Sequence, residues 1–234
     1  PPSGGVTLTN FPALVSLSTN ISGFSYGKFT APANGGDLRF AASDNSTELN
    51  YEIEKWNTNG DSLIWIQVRE IPDTNAYIWA YFGSPVETNL PAYATNGSTW
   101  ADGYAAVWHL DEPGSSHSDS AGYNNLAASV GGMVSSNGVI DGGQYNSGSS
   151  ANYMLATDHP ELDGMTNLTL EAFIYSIGSS SAQGLVSKRV SGDVEDDYNI
   201  MIRGDLASQL EFRVGGQATY LRSPASVETG QWLH

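Results

Sequence analysis

The sequence predicts an all-β protein made of two β-sandwich domains, and three observations carry that prediction. Apolar and polar residues alternate over short runs, the period of a pleated strand. Clusters of Gly, Pro, Asn, Asp and Ser break these runs every ~8–12 residues, the rhythm of a sandwich. Long apolar runs of helical period are missing. The 234 residues suffice for two medium domains, and a hydrophobic content of 40% supplies a core.

The first domain is assigned to residues 1–92. Strands are predicted over Val6–Thr9, Ala13–Ser18, Asp37–Ala41, Glu48–Asn57, Ser62–Val68 and Ala76–Phe82. Within Glu48–Asn57, Leu49, Tyr51, Ile53 and Lys55 share one face, and Asn50, Glu52, Glu54 and Trp56 share the other. The stretch Asn57-Thr58-Asn59-Gly60-Asp61 contains Asn-Gly, a hairpin signal. Residues 93–103 are read as a linker, because the region from Gly83 to Gly103 has little regular pattern and holds Pro85 and Pro91.

The second domain, residues 104–234, opens on Ala105-Ala106-Val107-Trp108-His109-Leu110-Asp111-Glu112. This reads as an apolar strand that runs into a polar, turn-rich loop from Pro113 to Asn125. Further strands are predicted at Val139–Tyr145, Ala151–Met154, Leu168–Ser176, Gly184–Lys188, Tyr198–Arg203, Gln209–Val214 and Gln217–Arg222. Leu168, Leu170, Ala172 and Ile174 fall on one face of an unusually long strand.

Acidic residues number 25 against 9 basic ones, a formal charge of -16. A phosphate backbone is repelled by such a chain, so nucleic acid is excluded as a partner class, and anionic membrane surfaces are disfavoured. No apolar run approaches the ~20 residues of a membrane helix. Cysteine is absent, which removes disulfides, thiolate metal sites and cysteine nucleophiles. The chain starts at Pro1 with neither an initiator Met nor a signal peptide, as in a processed protein or a fragment.

Chemistry-bearing patterns are few. Glu52 and Glu54 put two carboxylates on one strand face, the arrangement of a retaining glycosidase, but exposed alternation on a half-solvated strand explains it equally. His109, His117, His159 and His234 are scattered and form no serine–histidine–acid spacing. The chain therefore reads as non-catalytic. Tyr77, Trp79 and Tyr81 lie on one strand face and offer amphipathic platforms for sugar rings. That strand is apolar on both faces, so burial against the second domain is the competing expectation. Trp100, Tyr123 and Tyr153 complete the set of candidate ligand-binding aromatics. For a metal, Asp119 with Asn124 and Asn125, and Asp141 at the same rim, form a mixed oxygen set that suits calcium better than magnesium. The acidic cluster Asp193, Asp196 and Asp197 is the rival location.

Residues 1 to about 90 resemble domain of unknown function 2341, a bacterial and archaeal extracellular module. The resemblance rests on Leu8-Thr9-Asn10-Phe11-Pro12-Ala13-Leu14-Val15, Asp37-Leu38-Arg39-Phe40, Leu49-Asn50-Tyr51-Glu52-Ile53-Glu54-Lys55-Trp56 and Tyr81-Phe82-Gly83. Residues 104–234 resemble a laminin-G-like, concanavalin A-like lectin domain. Here it rests on Val107-Trp108-His109-Leu110-Asp111-Glu112, Asp119-Ser120-Ala121-Gly122, Leu168-Thr169-Leu170-Glu171-Ala172-Phe173-Ile174 and Gly230-Gln231-Trp232-Leu233-His234. The resemblance implies a jelly roll, truncated at its C-terminal end, and secretion or cell-surface display. It implies glycan-binding or adhesion rather than a reaction. A structural subunit of an extracellular fibre or sheath, and an accessory module of a polysaccharide-degrading enzyme, are the alternatives. The expected partners are a glycan or an extracellular protein, together with a strand-supplying chain or a homopolymer to close the sandwich.

Overall fold

A computed structural model describes residues 5–188, 198–215 and 220–234. The chain is all-β, and the helical residues among those described are short 3-10 turns. It divides into two compact units. Unit 1 comprises residues 1–128, 135–144 and 155–157, and unit 2 comprises residues 129–134, 145–154 and 158–234.

Unit 1 is built on two three-stranded sheets. One contains β1 (Leu8–Leu17), β5 (Ser62–Ile71) and β4 (Tyr51–Lys55), in the order β1-β5-β4. The other contains β3 (Glu48–Leu49), β2 (Arg39–Ala41) and β6 (Trp79–Tyr81), in the order β3-β2-β6. The predicted strands Val6–Thr9 and Ala13–Ser18 fuse into β1, which tolerates Pro12 because it lies at the sheet edge. Between β3 and β4 the chain passes from one sheet to the other at Asn50. Asn50 fixes that corner: its Nδ2 donates to Gln67 Oε1 at 3.0 Å and to the Ser98 carbonyl at 3.3 Å.

The core lies between these sheets, and period-two alternation builds it. Ile64, Ile66 and Val68 of β5 point inward with Tyr51 of β4, and Leu38, Phe40 and Leu49 meet them from the other sheet. Tyr51 is fully buried, with its hydroxyl donating to the Leu38 carbonyl at 2.7 Å and its ring edge-on to Phe40 at 5.3 Å. Asp37 is buried and closes the end of the core. Its carboxylate accepts the N–H groups of Thr30 and Ala31, both at 2.9 Å, and of Gly83 at 2.5 Å.

The remaining strands are short until the C-terminal part. They are β7 (Ser116–His117), β8 (Ala127–Val130), β9 (Val134–Asn137), β10 (Gly142–Tyr145), β11 (Tyr153–Ala156) and β12 (Ile174–Tyr175). Unit 2 then carries an antiparallel sheet of β13 (Ala182–Lys188), β14 (Tyr198–Arg203), β15 (Gln209–Val214) and β16 (Tyr220–Ser226), in chain order. The final strand, β17 (Trp232–Leu233), pairs with β12.

Three sequence expectations are corrected. Ala105–Glu112 is no ladder strand: it is extended chain in unit 1, with Leu110 at φ +63°. Its polar backbone groups are satisfied largely by side chains, as described below. Leu168–Ser176 forms a ladder only at Ile174–Tyr175, because alternation marks a half-buried chain but a strand also needs a neighbour to pair with. The strand placed at Gln217–Arg222 continues beyond its predicted end to Ser226, and its first three predicted residues lie outside those described.

Removing the buried Asp37 carboxylate strands three N–H donors. Asp37→Ala is expected to lower unfolding stability by about 2 kcal/mol or more, measured by urea titration, whereas Asp44→Ala on the exposed turn is expected to cost less.

Candidate functional site

Two arrangements in unit 1 combine chemistry-bearing side chains. The first lies on the outer face of the β1-β5-β4 sheet. Alternation that sends Tyr51 and Ile53 inward sends Glu52 and Glu54 outward, and Trp65 of β5 stands opposite Glu52 in register. The segment from Ser98 to Asn125 lies over this face. His109 enters between the two carboxylates, with Nδ1 2.8 Å from Glu54 Oε2 and Nε2 3.7 Å from Glu52 Oε2. The longer separation is an ion-pair distance, and Nε2 makes no hydrogen bond.

Indoles and a hydroxyl supply the remaining donors. Trp65 Nε1 donates to Glu54 Oε2 at 2.9 Å, Trp100 Nε1 to Glu52 Oε2 at 2.5 Å, and Ser120 Oγ to Glu52 Oε1 at 2.7 Å. The Trp65 and Trp100 rings flank the imidazole, at 6.2 and 5.6 Å between centroids. Burial alone would push the His109 pKa down, but the Glu52 and Glu54 carboxylates outweigh it and hold it up at about 10. Burial likewise pushes Glu52 up, and His109, Ser120 and Trp100 reverse that and hold it below the ordinary carboxylate value. The cluster is thus an imidazolium between two carboxylates.

The covering segment is pinned by Asp119. Its Oδ1 accepts the N–H groups of Val107 and Ala121, both at 2.9 Å, and its Oδ2 accepts that of Asn125 at 3.1 Å. Asn125 is buried and returns Nδ2 to the Ala105 carbonyl at 3.0 Å, while Trp108 Nε1 donates to the Asn125 carbonyl at 2.7 Å. The Ser120 N–H adds a bond to the Val107 carbonyl at 2.8 Å. Of the four residues assigned to a metal, Asp119 and Asn125 are therefore joined as structural staples. Asn124 takes a left-handed turn at φ +60°, and Asp141 pairs with Lys55 Nζ. Among the described residues no three His, Asp or Glu side chains are gathered as in a metal centre. Asp193, Asp196 and Asp197 lie outside the described residues.

The second arrangement is the aromatic stripe. Ile78 and Phe82 pack against the core, so Tyr77, Trp79 and Tyr81 point outward, at 58%, 44% and 45% exposure. Within unit 1 only Ile78 and Phe82 of this strand side in with the core. Strand β6 is the edge of its sheet. The Tyr77 and Trp79 rings meet edge-on at 6.0 Å, and the Tyr81 hydroxyl donates to Asn45 Oδ1. Arg39 stands beside Tyr81 in register, held by Glu87 at 3.1 Å and Glu48 at 3.8 Å. Aromatic faces and a fixed guanidinium thus lie on one open sheet face.

The other aromatic candidates separate. Trp100 is buried at 5% exposure and belongs to the ionic cluster, because its indole N–H is spent on Glu52. Tyr123 lies in the Asp119 loop and Tyr153 on β11, both with partly exposed rings. Sequence reasoning missed His109 as the partner of Glu52 and Glu54. Its one signal was the pair of carboxylates facing Trp65, since buried charges require a counter-charge.

A group whose pKa is raised on folding, from about 6.5 to about 10, contributes stability that is complete below about pH 6.5 and lost as pH climbs to about 10. The melting temperature is therefore expected to fall between pH 7 and pH 10. His109→Gln is expected to lower it at pH 7 and to flatten that alkaline slope relative to the parent, as read by calorimetry.

Compared with known proteins, no curated protein and no solved structure matches the chain. The laminin-G-like character of the C-terminal part is not shown by these comparisons. Residues 34–112 match the family model described as Domain of unknown function (DUF2341), a span that contains Glu52, Glu54, Trp65, Trp100 and His109 together.

Proposed function

We propose that this chain is a non-catalytic glycan-binding or adhesive protein, secreted or displayed at a cell surface. The observation that carries the reading is the Tyr77–Trp79–Tyr81 stripe, three outward aromatics on an edge strand whose alternate residues are committed to the core. Exposed apolar rings in a row cost solvation free energy, and an amphipathic ligand such as a pyranose relieves that cost. The carboxylate pair that a glycosidase reading requires is instead occupied by His109, and the Glu54 side chain is 2% exposed, which withholds it from substrate. Residues 104–234 enter the same proposal as a laminin-G-like, concanavalin A-like jelly roll.

A calcium ion at the Asp119 loop is a dependent part of the proposal. Asp119 already accepts three N–H bonds, so an ion there takes its remaining lone pairs and neighbouring oxygens. Excess chelator is expected to lower the melting temperature by mass action, and an unchanged curve removes calcium from the proposal.

The stripe is tested by glycan-array screening followed by calorimetric titration of the best hit. Trp79→Ala and Tyr77→Ala are expected to weaken binding about tenfold or more each while leaving the melting temperature near that of the parent. Retained binding in both variants, or no array hit for folded protein, overturns the assignment.

A further inference from the structure

In the described residues, each of the other ion-paired Lys and Arg side chains meets at least one carboxylate of its own. Arg39 meets Glu48 and Glu87, Lys55 meets Asp141, and Lys188 meets Asp158 and Asp163. One place reverses this. On the four-stranded sheet of unit 2, Arg203, Arg213 and Arg222 converge on Glu211, whose carboxylate is fully buried. Arg203 Nη1 reaches both Glu211 oxygens at 3.1 Å, Arg213 Nε donates to Oε1 at 2.6 Å, and Arg222 Nε donates to Oε2 at 2.5 Å. Asp205 adds one more carboxylate, to Arg203, at 2.6 Å. Among the described residues three guanidinium groups thus share two carboxylates, an excess of one positive charge in a chain whose formal charge is -16.

Strand register places the surroundings. Glu211 stands opposite Arg222, and Arg213 opposite Tyr220 on one side and Asn199 on the other, so all five share one sheet face. Among the described residues Arg222 spends only Nε on a carboxylate, leaving the N–H groups of its two terminal nitrogens. Its guanidinium lies 4.2 Å from the centroid of the Tyr220 ring, which is 47% exposed. Asn199 is 5% exposed, and its Oδ1 finds no partner among the described residues. A buried orphan acceptor wants a donor, which a bare inorganic anion cannot supply and a hydroxyl can.

We propose that this face of unit 2 binds an acidic saccharide, with its carboxylate or sulfate oxyanion on Arg222 and Arg213, its ring on Tyr220 and a hydroxyl donating to Asn199. A planar guanidinium fork matches either oxyanion in bidentate fashion, which gives the shared chemistry. The net negative charge of the chain opposes long polyanions, and screening over about 8 Å at physiological salt makes short oligomers the suitable ligands. This site is separate from the β6 stripe and does not depend on it.

The test uses the full chain carrying Trp79→Ala, so that the stripe does not contribute. It is titrated with trigalacturonate, with a sulfated disaccharide, with the neutral galactotriose and with inorganic sulfate, each at low and at 0.15 M salt. Binding of an acidic oligosaccharide, at least about tenfold tighter than of the neutral one and weakened by salt, is expected. The uronate and sulfate arms identify which oxyanion is preferred. Arg222→Gln and Tyr220→Ala are each expected to reduce that affinity about tenfold, and Arg222→Lys to recover less than the parent level because the fork is lost. Should Arg222→Gln fail to fold, Tyr220→Ala and the salt dependence decide. The proposal is overturned if acidic and neutral sugars bind alike, if inorganic sulfate binds as well as the sugars, or if folded variants bind as the parent does.

Discussion

The organisation of unit 1 depends on one buried ionic contact, the His109 imidazolium set between Glu52 and Glu54. The β1-β5-β4 sheet has two faces that need cover. One is filled by the aliphatic and aromatic core. The other carries two carboxylates and an indole, and it is acceptable away from water only when a cation and hydrogen-bond donors are brought to it. The segment from Ser98 to Asn125 brings them: His109 supplies charge, Trp100 and Ser120 supply donors, and Asp119 holds the segment's own backbone in place. The DUF2341 match runs to residue 112, just past His109, so the matched span takes in the residue that neutralises the sheet's outer face.

The same bookkeeping of charge separates structure from surface chemistry. Charged groups that are buried have named partners in the described residues: Asp37 has three N–H groups, Glu54 has His109 and Trp65, and Glu211 has three guanidinium groups. What is left over points outward. In unit 1 the surplus is apolar, the β6 stripe. In unit 2 apolar side chains such as Ile177 and Leu221 also face outward, beside the guanidinium groups around Glu211. Unit 2 buries only Tyr198 and Ile202 among its described hydrophobic residues, so its sheet is held as much by ion pairs and cross-strand bonds as by a core.

Much of the first sandwich is legible in the sequence because period-two alternation is a local property. Ile64, Ile66 and Val68 alternate with Leu63, Trp65 and Gln67, and Leu49 and Tyr51 alternate with Asn50 and Glu52, as the pattern requires. The pattern stops being sufficient where the partner is remote. Ala105–Glu112 reads as an apolar strand, yet its backbone groups go to the side chains of Asp119, Asn125 and Gln144. Leu168–Ser176 alternates, yet only two of its residues find a neighbouring strand. Glu52 and Glu54 were visible as a pair, but nothing in their spacing names a histidine in a distant segment. The three arginines around Glu211 lie on three different strands and become one cluster only through register. The exposure of the stripe was equally non-local, since its sequence fits a buried strand as well as an open one.

The most direct measurement is the titration of the His109 imidazole itself, followed by its ring carbon-bound proton in NMR spectra of the parent and assigned with His109→Gln. Held between two carboxylates, the ring is expected to stay protonated through neutral pH and to titrate near pH 10, or only as the fold gives way. A midpoint near the ordinary 6.5, in folded protein, contradicts the buried ion cluster and with it the placement of the covering segment on the sheet.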